Sequence, residues 1–178
     1  MSFSIAQMRD WVYTFTKQEL AVSNPGIQIE EKGGVYHVRG VLDEYADLSS
    51  LLSKPAPLRL NFQGLLRLNS IGIRNMLKFL AGWGDKPLIF EHCTSEFIDQ
   101  VSMIPALLGI KKQGQVTSLY VPYECGSCDH EADIFGEMQE YAAGLKSQQW
   151  PVKVCPKCGG KMQVISDTFF AFAQSKSA

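Results

Sequence analysis

Two Cys-x-x-Cys knuckles, Cys125-Gly-Ser-Cys128 and Cys155-Pro-Lys-Cys158-Gly-Gly, put four thiols into the C-terminal third of the chain. Each knuckle holds two sulfurs on one tight turn, and four thiolates complete a tetrahedral Zn²⁺ site. The glycines after Cys158 let the backbone curl round an ion at positive φ. Four thiolates leave no open position for water or substrate, so the expected metal is one structural Zn²⁺ rather than a catalytic ion. Two disulfides, or one redox-active Cys-x-x-Cys, would use the same residues. The N-terminus has no cationic stretch followed by an apolar run, so export is not expected and the thiols are expected to stay reduced in the cytoplasm.

The fifth cysteine, Cys93, lies far in sequence from both knuckles and is expected to be a small buried hydrophobe at a strand end. His130 follows Cys128 closely, but four thiols already complete a site, which leaves it a surface or supporting position. The other two histidines, His37 and His92, show no paired spacing with a carboxylate or nucleophile, and no phosphate-cradling glycine loop is present. The reading is therefore non-enzymatic.

The chain has 178 residues, 46% hydrophobic and 20% charged, with a formal net charge of −1, enough for one sizeable core and an appendage. Around the knuckles, Glu124, Asp129, Glu131, Asp133, Glu137 and Glu140 outweigh Lys146, Lys153, Lys157 and Lys161, a balance opposed to phosphate-backbone binding. A nucleic-acid-binding zinc ribbon is the rival reading, and it would need Arg39, Arg59, Arg67, Arg74 and Lys78 to cluster. The longest apolar run, Phe169-Phe170-Ala171-Phe172-Ala173, is far too short for a membrane span.

The elements that must position these residues follow from periodicity. Ile5, Met8, Trp11, Val12 and Phe15 predict an amphipathic helix within residues 1–22. Ile27 to Lys32 and Val35 to Val41, joined by Gly33-Gly34, predict a hairpin. Then come a helix over Tyr45–Ser53, a strand over Leu58–Phe62, a helix over Ile71–Trp83 and a strand over Lys86–Glu91. A helix capped by Thr94 or Ser95, a hydrophobic turn at Leu107–Ile110 and a strand over Val116–Val121 complete the series. Such alternation predicts an α/β fold with a mixed, mainly parallel sheet covered by helices. A helix over His130–Lys146 and a terminal strand over Lys161–Ile165 are expected to be clamped onto that sheet by the metal, with Met162, Val164, Phe169, Phe170 and Phe172 as core or interface residues.

Leu68-Asn69-Ser70-Ile71-Gly72-Ile73 follows a strand and opens a helix, so Ser70 sits beside free first-turn N–H groups, where the macrodipole favours negative charge. A plain helix cap would use the same serine.

Val38-Arg39-Gly40-Val41-Leu42-Asp43, the helix ending Leu51-Leu52, and Leu58-Arg-Leu-Asn-Phe-Gln-Gly-Leu-Leu-Arg-Leu-Asn-Ser-Ile-Gly-Ile73 together resemble the STAS domain of anti-sigma-factor antagonists and sulfate-transporter tails. That family places a Gly-x-Leu-Asp segment and an Asp-Ser-[Ser/Thr]-Gly-[Leu/Ile] turn on its binding face. The resemblance covers residues 27–121, with residues 1–22 and the zinc-binding extension 122–178 outside it. It implies a bacterial signalling module that binds a protein partner through Asp43, Asn69, Ser70 and Gly72, the partner in antagonists being an anti-sigma factor that is also a kinase. The phosphorylated serine of such antagonists falls on Ser70, where a phosphate would add about −2 charge at the contact surface. The family's aspartate stands here as Asn69, which keeps the turn chemistry and removes a carboxylate. An adaptor subunit of a membrane transport system is the other role the resemblance implies.

Overall fold

A computed structural model of the chain describes residues 26–109, 111, 113–141 and 150–165. The helix expected within residues 1–22 and the aromatics Phe169, Phe170 and Phe172 lie outside the described residues.

The described residues open on strands β1 (Ile27–Lys32) and β2 (Val35–Leu42), an antiparallel hairpin. Its two-residue turn has Gly33 at φ +60° and Gly34 at φ +79°, values that fit the right-handed twist of the flanking strands and suit glycine. Strand β3 (Leu58–Leu68), helix α1 (Ser70–Trp83), strand β4 (Leu88–Glu91), helix α2 (Ser95–Met103) and strand β5 (Gly114–Val116) follow. The five strands form one sheet in the order β1-β2-β3-β4-β5, parallel throughout except for the hairpin. The mixed, mainly parallel sheet is thus present.

One face of this sheet makes the core. Leu58, Leu60 and Phe62 alternate along β3 and are buried with Met76, Phe79, Leu80 and Trp83 of α1 and Phe97, Ile98 and Val101 of α2. Phe62 sits edge-on to Phe97 at 4.7 Å between ring centroids, and Phe90 closes the cluster at 5.6 Å from Phe62 and 5.5 Å from Phe97. Cys93 is fully buried, as its sequence context predicted.

The region expected as a helix at Tyr45–Ser53 is instead an irregular loop ending in a 3-10 turn, Ser49–Ser53. Asp43 and Asp47 each accept the backbone N–H two residues on, from Tyr45 at 3.0 Å and Ser49 at 2.8 Å. Such local bonds give the backbone an alternative to the helical ladder.

The strand expected over Val116–Val121 is two strands in two sheets. β5 ends at Val116, Thr117 N–H donates to Phe90 O at 2.9 Å, and β6 (Ser118–Cys125) begins a second sheet. Around β6 lie β7 (Glu131–Glu137), β8 (Lys153–Val154) and β9 (Lys161–Val164), all antiparallel, in the order β7-β6-β9-β8. The helix expected over His130–Lys146 is therefore corrected: seven of its residues are strand β7, and only residues 138–141 of its described part are helical. The terminal strand β9 pairs within this second sheet rather than onto the first. The two sheets join where Cys93 bridges Leu119, Cys93 N–H donating to Ser118 O at 3.1 Å and Tyr120 N–H to Cys93 O at 2.8 Å. The boundary expected at residue 122 falls inside β6.

Candidate metal centre and partner-binding turn

Cys125 is the last residue of β6, and the chain turns at Gly126–Ser127–Cys128 before β7. In this knuckle Cys125 N–H donates to His130 O at 2.9 Å, and Asp129 N–H donates back to Cys125 O at 3.0 Å. The second knuckle repeats the pattern between β8 and β9. Cys155 N–H donates to Gly160 O at 2.8 Å, and Gly159 N–H to Cys155 O at 2.9 Å. The residue after each second cysteine is left-handed, Asp129 at φ +52° and Gly159 at φ +72°. Glycine takes that conformation freely, and aspartate is among the few other residues that tolerate it.

The knuckles close on each other through Gly126 N–H to Lys161 O at 3.3 Å, and a Cβ on Gly160 would lie 2.8 Å from Ser127 Oγ. The result brings the four Sγ atoms within 4.8 Å of one another. The nearest pairs cross between knuckles, Cys125 to Cys158 at 3.4 Å and Cys128 to Cys155 at 3.7 Å. A tetrahedral ion with bonds of about 2.3 Å to sulfur has S–S edges of about 3.8 Å, whereas a disulfide needs about 2.05 Å. All five cysteines are free thiols here. The four clustered sulfurs therefore match a metal-ion cage, with Cys125 and Cys155 buried and Cys128 and Cys158 exposed.

Charge within the cage also favours a cation. The Ser127 backbone N–H holds the Cys125 thiol down to about 7, while its hydrogen bond to Cys158 and burial push the Cys128 thiol up to about 12. Four thiolates this close would repel one another, and a divalent ion relieves that repulsion.

At the C-terminal ends of β2 and β3, Asp43, Asn69, Ser70 and Gly72 come together. Asn69, rather than Ser70, is the cap of α1: its Oδ1 accepts from Ile71 N–H at 3.0 Å and Gly72 N–H at 2.8 Å. Ser70 is the exposed first helical residue, and among the described residues its hydroxyl makes no hydrogen bond. Asn69 Nδ2 donates to Glu44 Oε2 at 3.2 Å, and Asn69 N–H to Leu42 O at 3.1 Å. Asn75 Nδ2 donates to Asp43 O at 3.2 Å, tying the loop after β2 to the helix. Glu44 and Asn75 carry no signal of their own in the sequence; their role arises only once β2 and β3 lie side by side.

Arg39 and Arg59 stand on the sheet face that alternates with buried Leu60, and Arg59 is paired to Glu91 at 2.6 Å. Arg74 and Lys78 belong to α1, Arg74 one turn after Ser70, whereas Arg59 is held in the Glu91 pair.

His92, which the sequence did not single out, stacks on Phe135 of β7 at 4.7 Å and lies 6.4 Å from the Tyr120 ring. Its Nδ1 is buried without a partner among the described residues, and burial lowers its pKa, against smaller raising effects of Glu91 and Glu137 and a lowering one of His37. Among the described residues no helix is long and apolar enough to cross a membrane. No family model, no curated protein and no solved structure matches this chain.

Proposed function

We propose that the chain is a non-enzymatic, STAS-like signalling adaptor that binds a protein partner through the Ser70 turn and carries one structural Zn²⁺ in its Cys₄ cage. The observation that supports this reading best is the convergence of Asp43, Asn69 and Ser70 at one turn above buried Gly72, held by bonds that leave Ser70 exposed. A binding surface needs fixed backbone and free side chains, and this turn supplies both. The side chains of Tyr45, two residues after Asp43, and of Ile71, next to Ser70, are 65% and 43% exposed and offer contact area to a protein.

Phosphorylation of Ser70 would set two negative charges near Glu44 and Asp43, and the first-turn amides of Ile71 and Gly72 are already bonded to Asn69. The phosphate would therefore repel a partner seated there rather than fold inward onto the helix. The zinc serves the second sheet: β6, β8 and β9 all run into the knuckles, so one ion fixes three strand ends. The acidic residues around the cage favour a protein partner over nucleic acid.

The test is co-purification of the full chain from its own host as wild type, Ser70→Ala and Ser70→Glu. Retention of the same protein by the first two, with loss of at least ten-fold in the third, is expected. Equal retention by all three removes the Ser70 turn from the binding surface.

A further inference from the structure

The second sheet has two unlike faces. Leu119, Val121, Tyr123 and Cys125 of β6 point one way and are buried. The opposite face is half-exposed: Tyr120, Pro122 and Glu124 are partly buried, His92 stacks on Phe135 and Ser95 bonds Asp133 there. The register sets its other neighbours: Tyr120 lies opposite Phe135, Pro122 opposite Asp133, and Glu124 opposite both Glu131 and Gln163. Ile165 N–H donates to Pro122 O at 3.2 Å, which adds Ile165 to the Pro122 row. An apolar stripe of Ile165, Pro122, Tyr120 and Phe135 therefore crosses three strands, with Ile165 42% and Phe135 38% exposed. The 5.6 Å contact between the Tyr120 and Phe135 rings makes that end continuous.

Carboxylates border this stripe. Strand β7 presents Glu131, Asp133 and Glu137 on the same face, and β6 adds Glu124. Asp133 accepts a hydrogen bond from Ser95 Oγ at 2.7 Å, and among the described residues none of the four is in an ion pair with lysine or arginine. Lys161 is the basic residue of β9 on this face.

We infer that the exposed part of this face of the second sheet is a docking surface for a cationic, amphipathic segment of another protein. Apolar side chains of the segment would cover Ile165, Pro122, Tyr120 and Phe135 while its lysines or arginines meet Glu131 and Glu137. The sign of the rim selects this occupant, because an acidic segment or a polyanion would set like charges against β7. The surface is separate from the Ser70 turn and stands whether or not that turn binds a partner.

The probe is a synthetic amphipathic peptide of lysine and leucine, with a glutamate–leucine peptide of the same pattern as control, titrated into the isotope-labelled, zinc-loaded full chain. Amide shifts confined to Tyr120, Glu131 to Glu137 and Gln163 to Ile165, with affinity at least ten-fold higher for the basic peptide, are expected. Phe135→Ser and the double change Glu131→Lys, Glu137→Lys should each weaken binding ten-fold or more, the latter without touching the apolar stripe. Equal affinity for the two peptides, or shifts located elsewhere, overturns the inference. Two further outcomes also overturn it: the same shifts on dilution alone, which mark a second copy, or on deletion of residues 166–178, which mark the chain's own tail.

Discussion

Gly72, in the first turn of α1, lies directly against the carbonyl of Leu42 at the end of β2, so close that a Cβ there would fall far inside van der Waals contact with that oxygen and with the Leu42 carbonyl carbon. The neighbour is backbone and cannot turn aside. This contact sets how near α1 comes to the loop carrying Asp43, and hence the shape of the turn that presents Ser70.

Gly72→Ala should therefore destabilise the fold by about 3 kcal/mol, the upper end of the usual overpacking range. Gly82→Ala, in the same helix, should act the other way. Its Cβ would meet Leu52 Cδ2 at 3.1 Å, the tip of an exposed side chain that can move, and alanine gains about 0.5–1 kcal/mol over glycine in a helix. Denaturant unfolding of the two variants checks both signs.

Removal of the metal should act on the second sheet first. On chelation the amides of Gly126, Cys155 and Gly159, whose bonds close the knuckles, should lose about ten-fold or more of their hydrogen-exchange protection, while those of α1 keep theirs. Cys125→Ser or Cys155→Ser should reproduce the effect without a chelator. Uniform loss across both sheets would show that the ion holds the whole molecule.

His92 gives stability a pH dependence of known sign. Burial lowers its pKa in the folded state, whereas the unfolded chain titrates near about 6.5. Below that value the unfolded state binds more protons, so stability is full above about pH 6.5 and falls as pH drops toward the folded value. His92→Asn tolerates the observed φ of +50° and abolishes the titration. Its unfolding free energy should fall less steeply between about pH 7.5 and about pH 5.5 than that of the wild type.

The buried tyrosine pair under β7 should be unequal. Tyr123 Oη donates to Pro151 O at 2.9 Å and lies 3.3 Å from Tyr141 Oη. Tyr141→Phe leaves the bond to Pro151 intact and should cost about 1 kcal/mol. Tyr123→Phe removes both contacts and should cost more, about 2–3 kcal/mol, again read by denaturant unfolding.

Much of the first sheet was legible because its signals are local. Gly33-Gly34 marked the hairpin, the apolar stripe of Ser70–Trp83 marked α1, and Thr94 caps α2, accepting from Phe97 N–H at 3.3 Å. The knuckles were legible because Cys-x-x-Cys encodes its own turn. Strand β7 was misread because Ile134, Met138 and Tyr141 fall at helical spacing, while the alternation of half-buried Ala132 and Ile134 with exposed Glu131, Asp133 and Phe135 has meaning only beside β6. The cap of α1 was placed one residue late because asparagine and serine are both good caps, and only the backbone at Asn69, φ −107° and ψ 173°, decides between them. The change of sheet at Thr117 is set by its bonds to Phe90 O and from Met138 N–H, both long-range and invisible to periodicity.

Ser70→Glu places a carboxylate at the first position of α1, where the macrodipole tolerates it, so the fold should keep its stability within about 0.5 kcal/mol. A lost partner in that variant would then report the surface and not unfolding.

Native mass spectrometry of the chain isolated from its own host, as wild type and as Ser70→Glu, tests the proposed function most directly. The expected spectrum of the wild type contains one zinc ion and a second protein, and that of Ser70→Glu keeps the zinc and loses the protein. A wild-type chain that carries zinc with no second protein, or a complex that survives Ser70→Glu intact, would contradict the account.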